Sequence, residues 1–277
     1  MSPSTATATP DYAAITLRQQ GVWASGDYAV VAARIPLISE RLCDAADLRS
    51  GTRVLDVAGG SGNTALAAAR CGAEVVSLDY VPSLLDGGRR RAAAEGFDID
   101  FVEGDAQDLP FADAEFDAVI SVVGAMFAPD HGRTAAEMLR VCRSGGTIAM
   151  ANWTPEGFIG HLLRAVGGHV PPPAGVSPPT LWGTEGHVRE LFGPQGVTEL
   201  TFRRREYTFR FDSPRHFTTF FREMYGPVRA AFLAVGPDGE TALANDMDAL
   251  VGRHDRIGEG GPVAIPAEYL EVVATRA

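Results

Sequence analysis

The sequence predicts an α/β fold: a mostly parallel, seven-stranded sheet with helices on both faces. Three observations carry this. Short apolar runs alternate with helix-length segments from about residue 50 to 153, the pattern of βαβ units. The runs are apolar throughout rather than alternating, as strands covered on both faces must be. The chain has 277 residues, 45% of them hydrophobic and 21% charged, which suffices for one large unit or a core with a cap.

Residues 1 to about 10 are small and polar, which predicts a frayed tail. Residues 11–47 read as helical, with Val30, Val31, Ile35, Ile38 and Leu42 at helical spacing; Pro36 either kinks that stretch or starts a second helix. Strands follow at 53–58, 74–79, 98–103, 115–122 and 147–153, the last after the turn Ser144-Gly-Gly146. Helices lie between them at 64–70, 82–95 and 133–142. After Pro155 come a helix at 158–166 and the stiff, proline-rich loop 171–179. A short helix at 184–192 has Thr184 as its N-cap. A long strand spans 197–211, and its alternation of Phe202, Tyr207, Phe209 and Phe211 is core periodicity. Two helices at 213–235 and 241–254 precede a closing strand at 268–275. The insertion at about 213–262 is too long for a loop and is expected to cap a substrate pocket. The expected division is a helical lid segment at 1–49, a nucleotide-binding core at 50–155, and the rest of the sheet with its cap at 156–277.

Charge and composition exclude several chemistries. The balance of 24 basic and 35 acidic residues gives −11, which argues against a nucleic-acid partner. Every basic residue is arginine, so a Walker phosphate loop and a Schiff-base lysine are excluded. Cys43, Cys71 and Cys142 form no C-x-x-C pair and no histidines sit at zinc spacing, so no metal is expected. No signal peptide and no membrane-spanning run is read, and the expected location is the cytoplasm. The oligomeric state is not written in the sequence.

The informative stretch is Val54-Leu-Asp-Val-Ala-Gly-Gly-Ser-Gly-Asn-Thr64. A strand ends, glycines 59, 60 and 62 allow a tight turn, and a helix opens with free N–H groups toward the crevice. Asp79 ends the next strand, where a carboxylate can accept both hydrogen bonds of a ribose diol. The pattern reads as an adenine nucleoside on a Rossmann-like sheet. Gly60-Ser-Gly62-Asn-Thr-Ala65 also satisfies a dinucleotide fingerprint, with Asp79 lying 19 residues beyond Gly60. Three features oppose NAD(P). Asp56 beside the turn would repel a pyrophosphate but suits a cationic amino group. Asp105 and the Ala106 N–H, after the third strand, suit the adenine edge. The chain also ends in strand–insert–strand rather than in a second βαβαβ half.

On these residues the sequence resembles the class I S-adenosylmethionine-dependent methyltransferases, in particular the branch with the ubiquinone and menaquinone C-methyltransferases. Val54-Leu-Asp-Val-Ala58, Asp105-Ala-Gln-Asp-Leu-Pro-Phe111, Phe116-Asp-Ala-Val119 and Met138-Leu-Arg-Val-Cys-Arg-Ser-Gly-Gly146 carry the likeness over residues 50–153. The resemblance implies S-adenosylmethionine as cofactor, S-adenosylhomocysteine as product and a small-molecule methyl acceptor. It implies that Asp56, Ala58, Gly59, Gly60 and Gly62 hold the methionine part and Asp79 the ribose. Tyr80 would cover an adenine face, Asp105 and Ala106 would bind the adenine edge, and Ser121 and Val122 would floor the sulfonium. Ala58 departs from the family's first glycine, which requires a negative φ there.

His131 follows the fourth strand and is the candidate general base, since only histidine titrates near neutrality unaided; the plainer reading is that it starts the next helix. Trp23, Tyr28, Met126, Phe127 and Trp153 are candidate walls of an aromatic or polyketide-like acceptor pocket. Asn152-Trp-Thr-Pro155 looks like an amino-methylating signature but sits after the wrong strand. Arg203-Arg-Arg205 cannot all point one way on a strand and is read as solvent-facing. Three further readings remain: an NAD(P)-dependent oxidoreductase on the same sheet, a non-catalytic regulator that senses S-adenosylmethionine, and a methyltransferase fold doing other chemistry such as cyclisation.

Overall fold

The computed structural model describes residues 10–193, 196–258 and 260–277; the expectation for the extreme N-terminal tail lies outside them. The strands are β1 (Arg53–Val57), β2 (Glu74–Asp79), β3 (Ile99–Glu103), β4 (Phe116–Val122), β5 (Cys142–Trp153), β6 (Val197–Phe211) and β7 (Val263–Arg276). They form a seven-stranded sheet in the order β3-β2-β1-β4-β5-β7-β6. β1 pairs in parallel with β2 and with β4, whereas β7 runs antiparallel to both β5 and β6. Strand order reverses between β1 and β4, and a crevice opens at their carboxyl ends. Val54, Leu55, Asp56 and Val57 are all buried because helices cover both faces of the central strand.

Helices α1 (Tyr12–Ala24), α2 (Tyr28–Ala32) and α3 (Pro36–Ala45) form the N-terminal segment. Pro36 starts α3, where its missing N–H costs nothing. Asp11 caps α1 by accepting from the Ala14 N–H at 3.0 Å. Helices α4 (Asn63–Arg70), α5 (Pro82–Glu95) and α6 (His131–Val141) lie between the early strands. Helices α7 (Phe158–His169) and α8 (Glu185–Phe192) precede β6. Between β6 and β7 the chain folds into α9 (Pro214–Met224) and α10 (Gly226–His254), the latter kinked at Gly236-Pro237.

Several boundaries differ from the sequence reading. β5 starts at Cys142, directly after α6, because residues 143–146 continue extended past a register shift opposite Phe116–Ala118. β7 begins at Val263 rather than Glu268, since β6 pairs with it along its whole length. The first insertion helix breaks at Tyr225, whose extended backbone (φ −94°, ψ 105°) separates α9 from α10. Thr184 occupies the N-cap position of α8, but its hydroxyl donates to the Leu181 carbonyl at 2.7 Å instead of capping. Arg205 is not free in solvent: it pairs with the buried Glu271 at 2.5 Å.

The N-terminal segment and the insertion are locked together by close backbone approach. The Asp27 N–H donates to the Met224 carbonyl at 3.0 Å. A Cβ on Gly26 would lie 2.3 Å from that carbonyl oxygen, and one on Gly226 would lie 2.2 Å from the Val22 carbonyl. Only glycine fits at either point. Among the described residues no helix is long and apolar enough to cross a membrane.

Candidate active site

The crevice between the carboxyl ends of β1 and β4 is roofed by α1 to α3 and holds a cavity, open in part to solvent, with about 840 Å³ of empty space. Its floor begins with the turn after β1. Gly62 precedes α4 in the left-handed region (φ 81°), and a Cβ there would press on Phe101 at 3.3 Å. Gly62 therefore permits the packing of α4 rather than lining the cavity. Ala58, Gly59 and Gly60 do line it. Ala58 has φ 53°, so the expectation of a negative φ is overturned: alanine here adopts the left-handed backbone that favours glycine. Val123, across the crevice at the end of β4, is also left-handed (φ 45°).

Asp79 ends β2 at the cavity wall. Its two carboxylate oxygens accept from the Gly60 and Val81 N–H groups, each at 2.9 Å, which fixes the group and leaves further lone pairs free. Burial pushes its pKa up to about 6, while those backbone donors hold it down. Tyr80 lines the cavity beside it, and the Gln20 amide nitrogen donates to the Tyr80 carbonyl. Asp105 and Ala106 line the same end. The Gln107 N–H donates to Asp105 Oδ1 at 2.9 Å, and Gln107 Nε2 donates to Thr16 Oγ1 at 2.8 Å, tying α1 to the loop after β3.

Other expected residues lie elsewhere. Asp56 does not reach the cavity. It sits behind the turn, where Oδ2 accepts from the Ala65 N–H at 3.0 Å. A Cβ on Gly59 would come within 2.4 Å of that oxygen. Burial pushes Asp56 up to about 8, so at neutral pH it is no counter-ion for an ammonium group. Ser121 faces away as well: its Oγ donates to the Val57 carbonyl at 2.8 Å and accepts from the Ala125 N–H at 2.9 Å, stapling β4 to β1. Val122 does line the cavity, whereas Met126 is fully buried in the core. His131 is not among the described residues that line this cavity. Its Nδ1 lies 2.9 Å from His187 Nε2 and its ring packs edge-on against Trp182. Burial, with the His187 charge adding, pushes it down to about 4. The general-base expectation is therefore withdrawn on geometry.

The sequence reading missed Thr16, Gln19, Ser39, Asn63, Thr64 and Gln107, all of which line the cavity. Gln107 stood within the quoted run after β3, and Asn63 and Thr64 closed the quoted run after β1; Thr16, Gln19 and Ser39 gave no local signal. Ser39 and Thr64 hydroxyls meet at 3.0 Å. Asn63 Nδ2 donates to the Ala32 carbonyl at 2.7 Å, leaving Oδ1 as a buried acceptor without a protein partner; Gln19 Oε1 is another. A buried amide oxygen is costly unless a bound group supplies a donor.

The wall thus offers two carboxylates, two unpaired amide oxygens, and among its described residues no arginine or histidine. That set fits a ligand rich in donors and cationic centres and opposes a pyrophosphate. A family model described as a methyltransferase domain matches residues 55–150. A Mycobacterium tuberculosis protein, the uncharacterized Rv1405c, is 44% identical over 83% of this chain and 84% of its own. The demethylmenaquinone methyltransferase of Renibacterium salmoninarum is 42% identical over 42% of this chain and 47% of its own. This chain belongs to the class I S-adenosylmethionine-dependent methyltransferases. Its cofactor is S-adenosylmethionine. The Bacillus subtilis YcgJ structure shares the fold, with TM-score 0.60 and 19% identity over 86% of this methyltransferase and 97% of that chain.

A second, narrower cleft adjoins the methyltransferase's cofactor cavity. Tyr28, Ile35 and Phe127 line both, and Trp153, Phe209, Phe221 and Tyr225 close the far side. Of the expected acceptor residues, Trp23 lines the first cavity, Trp153 the second, and Tyr28 and Phe127 their junction.

Proposed function

We propose that this enzyme transfers a methyl group by in-line displacement to a flat, apolar, aromatic small molecule seated in the second cleft. The observation that carries this reading is the junction: the cofactor cavity and an almost wholly apolar cleft share the walls Tyr28, Ile35 and Phe127. When bound, S-adenosylmethionine supplies an electrophilic methyl group on a sulfonium leaving centre. Asp79 binds the ribose diol; Asp105 and the Ala106 N–H take the adenine edge, with Tyr80 against its face. Asn63 Oδ1 accepts from the methionine ammonium in the place expected of Asp56, and the Ser39 and Thr64 hydroxyls donate to its carboxylate. Trp23, Tyr28 and Phe127 exclude water from the transfer point. Holding the reacting atoms collinear in this way can supply roughly 7–11 kcal/mol of barrier lowering. No histidine lines either cavity among the described residues, so the acceptor's nucleophile must already be free of its proton at working pH.

The described residues of 213–262 act as the cap and residues 10–49 as the lid over the 50–155 core. The chain's charge of −11 supports a small-molecule rather than a nucleic-acid acceptor. The test is incubation of the protein with methyl-labelled cofactor and a cell extract. Label is expected in a product that partitions into organic solvent. Label confined to nucleic acid, protein or the polar fraction would overturn the apolar-acceptor reading.

A further inference from the structure

The acceptor cleft holds two phenol hydroxyls to which methyl transfer assigns no role. Tyr28 comes from the N-terminal segment and Tyr225 from the break between α9 and α10. Their ring centroids lie 6.2 Å apart. Trp23 packs edge-on against both, at 5.4 Å from each. The wall around them is aliphatic or aromatic, from Val31 and Ile35 to Leu162 and Phe221, and apart from the Trp153 indole the two phenols are its polar side chains.

Neither phenol oxygen is among the sealed, partnerless polar atoms of the described residues, so both hydroxyls open onto free space in the cleft. Burial raises Tyr28 above the ordinary phenol range, with Asp79 adding to it; burial raises Tyr225, with Tyr28 adding. Both therefore stay protonated at working pH, able to donate and to accept but not to serve as a base. A ligand that fills the cleft shuts these hydroxyls off from water, so one that supplies a polar partner gains on one that does not.

We propose that Tyr28 and Tyr225 form a two-hydroxyl anchor that reads an oxygen substituent on an otherwise apolar aromatic acceptor, and so set acceptor specificity. The proposal rests on the second cleft's being the acceptor site. Two phenols can satisfy a hydroxyl's donor and acceptor together, or both lone pairs of a carbonyl. Tyr28 lines both cavities, so an oxygen held by it orients the acceptor ring at the junction with the cofactor cavity. A fixed charge on the acceptor is disfavoured, because the cleft wall carries no counter-charge among its described residues.

The test uses equilibrium dialysis of the full-length protein with S-adenosylhomocysteine present, and with 2-naphthol and naphthalene as probes. The wild type is expected to bind 2-naphthol at least about tenfold more tightly than naphthalene. Tyr28→Phe and Tyr225→Phe should each lose most of that preference while binding naphthalene as before. Tyr225→Phe should also keep its S-adenosylhomocysteine affinity, since Tyr225 does not line the cofactor cavity. Equal affinity for the two probes in the wild type, or the preference intact in both variants, overturns the anchor and leaves the cleft reading standing. Failure of the wild type to bind either probe overturns the cleft reading, and the anchor with it.

Discussion

At the scale of single residues, the site is built around backbone that an alanine does not favour. Ala58 sits at φ 53° between the end of β1 and the cavity, with its carbonyl facing Gly124 so closely that a Cβ there would lie 2.3 Å away. Left-handed backbone costs an L-residue about 1–2 kcal/mol, while glycine's extra freedom in the unfolded chain offsets about 0.4–1 kcal/mol of any gain. Ala58→Gly should therefore raise the melting temperature by roughly 1–3 °C, read by calorimetry. A lower melting temperature would show that the Ala58 methyl packs well enough to outweigh its backbone. The same residues show what the sequence could and could not convey. That a tight turn stood at 58–62 was legible from its glycines, and Asp79 and Asp105 from their places at strand ends. Asp56 and Ser121 were not, because β1 and β4 are buried on both faces. Along such strands every residue is interior, and nothing in the pattern marks the face that meets the crevice.

At the scale of elements, five of the seven strands were legible in position, most of them as short apolar runs between breakers; β5 was cut short because Ser144-Gly-Gly146 reads as a turn, and β7 because its first residues include Pro266 and alternate with half-exposed positions. Contacts between elements were not legible. His131 shows this: as the first residue of α6 it had a place near the site, yet its ring turns to His187 of α8. This pair makes the α6–α8 contact sensitive to acid. His131 is held down to about 4 and His187 is also lowered, in both cases first by burial. The unfolded chain takes up these protons near pH 6.5, the folded chain only lower. The stabilisation is therefore complete above about pH 6.5, is lost as pH falls toward about 4, and changes no further below that. In urea titrations the wild type should lose on the order of 2 kcal/mol more than His131→Phe across this interval. Parallel losses in the two proteins would refute the role of the pair.

At the scale of the whole molecule, the cofactor cavity is closed only by a segment remote in sequence from its floor. Helix α1 reaches it through Thr16, hydrogen-bonded to Gln107, and through Gln19 and Gln20, the latter bonded to the Tyr80 carbonyl. Trp23 follows, packed on Phe127 and Tyr225. Such a roof is invisible to local sequence patterns, because these side chains carry no signal until α1 docks. It also makes cofactor binding and the order of α1 one equilibrium. If α1 must be closed for the cofactor to bind, a ligand at 100 times its Kd lowers the open population about 100-fold. Arginine is the chain's only trypsin target, since it has no lysine, and Arg18 is exposed in the middle of α1. Cleavage after Arg18 needs α1 to open locally. Saturating S-adenosylhomocysteine should slow that cut by one to two orders of magnitude, followed by mass spectrometry. Cleavage after the exposed Arg256, which lies beyond α10 and lines neither cavity, should continue at its original rate. If both sites are cut at unchanged rates with the cofactor product bound, α1 does not roof the cavity in solution, and Gln19 cannot be one of its walls.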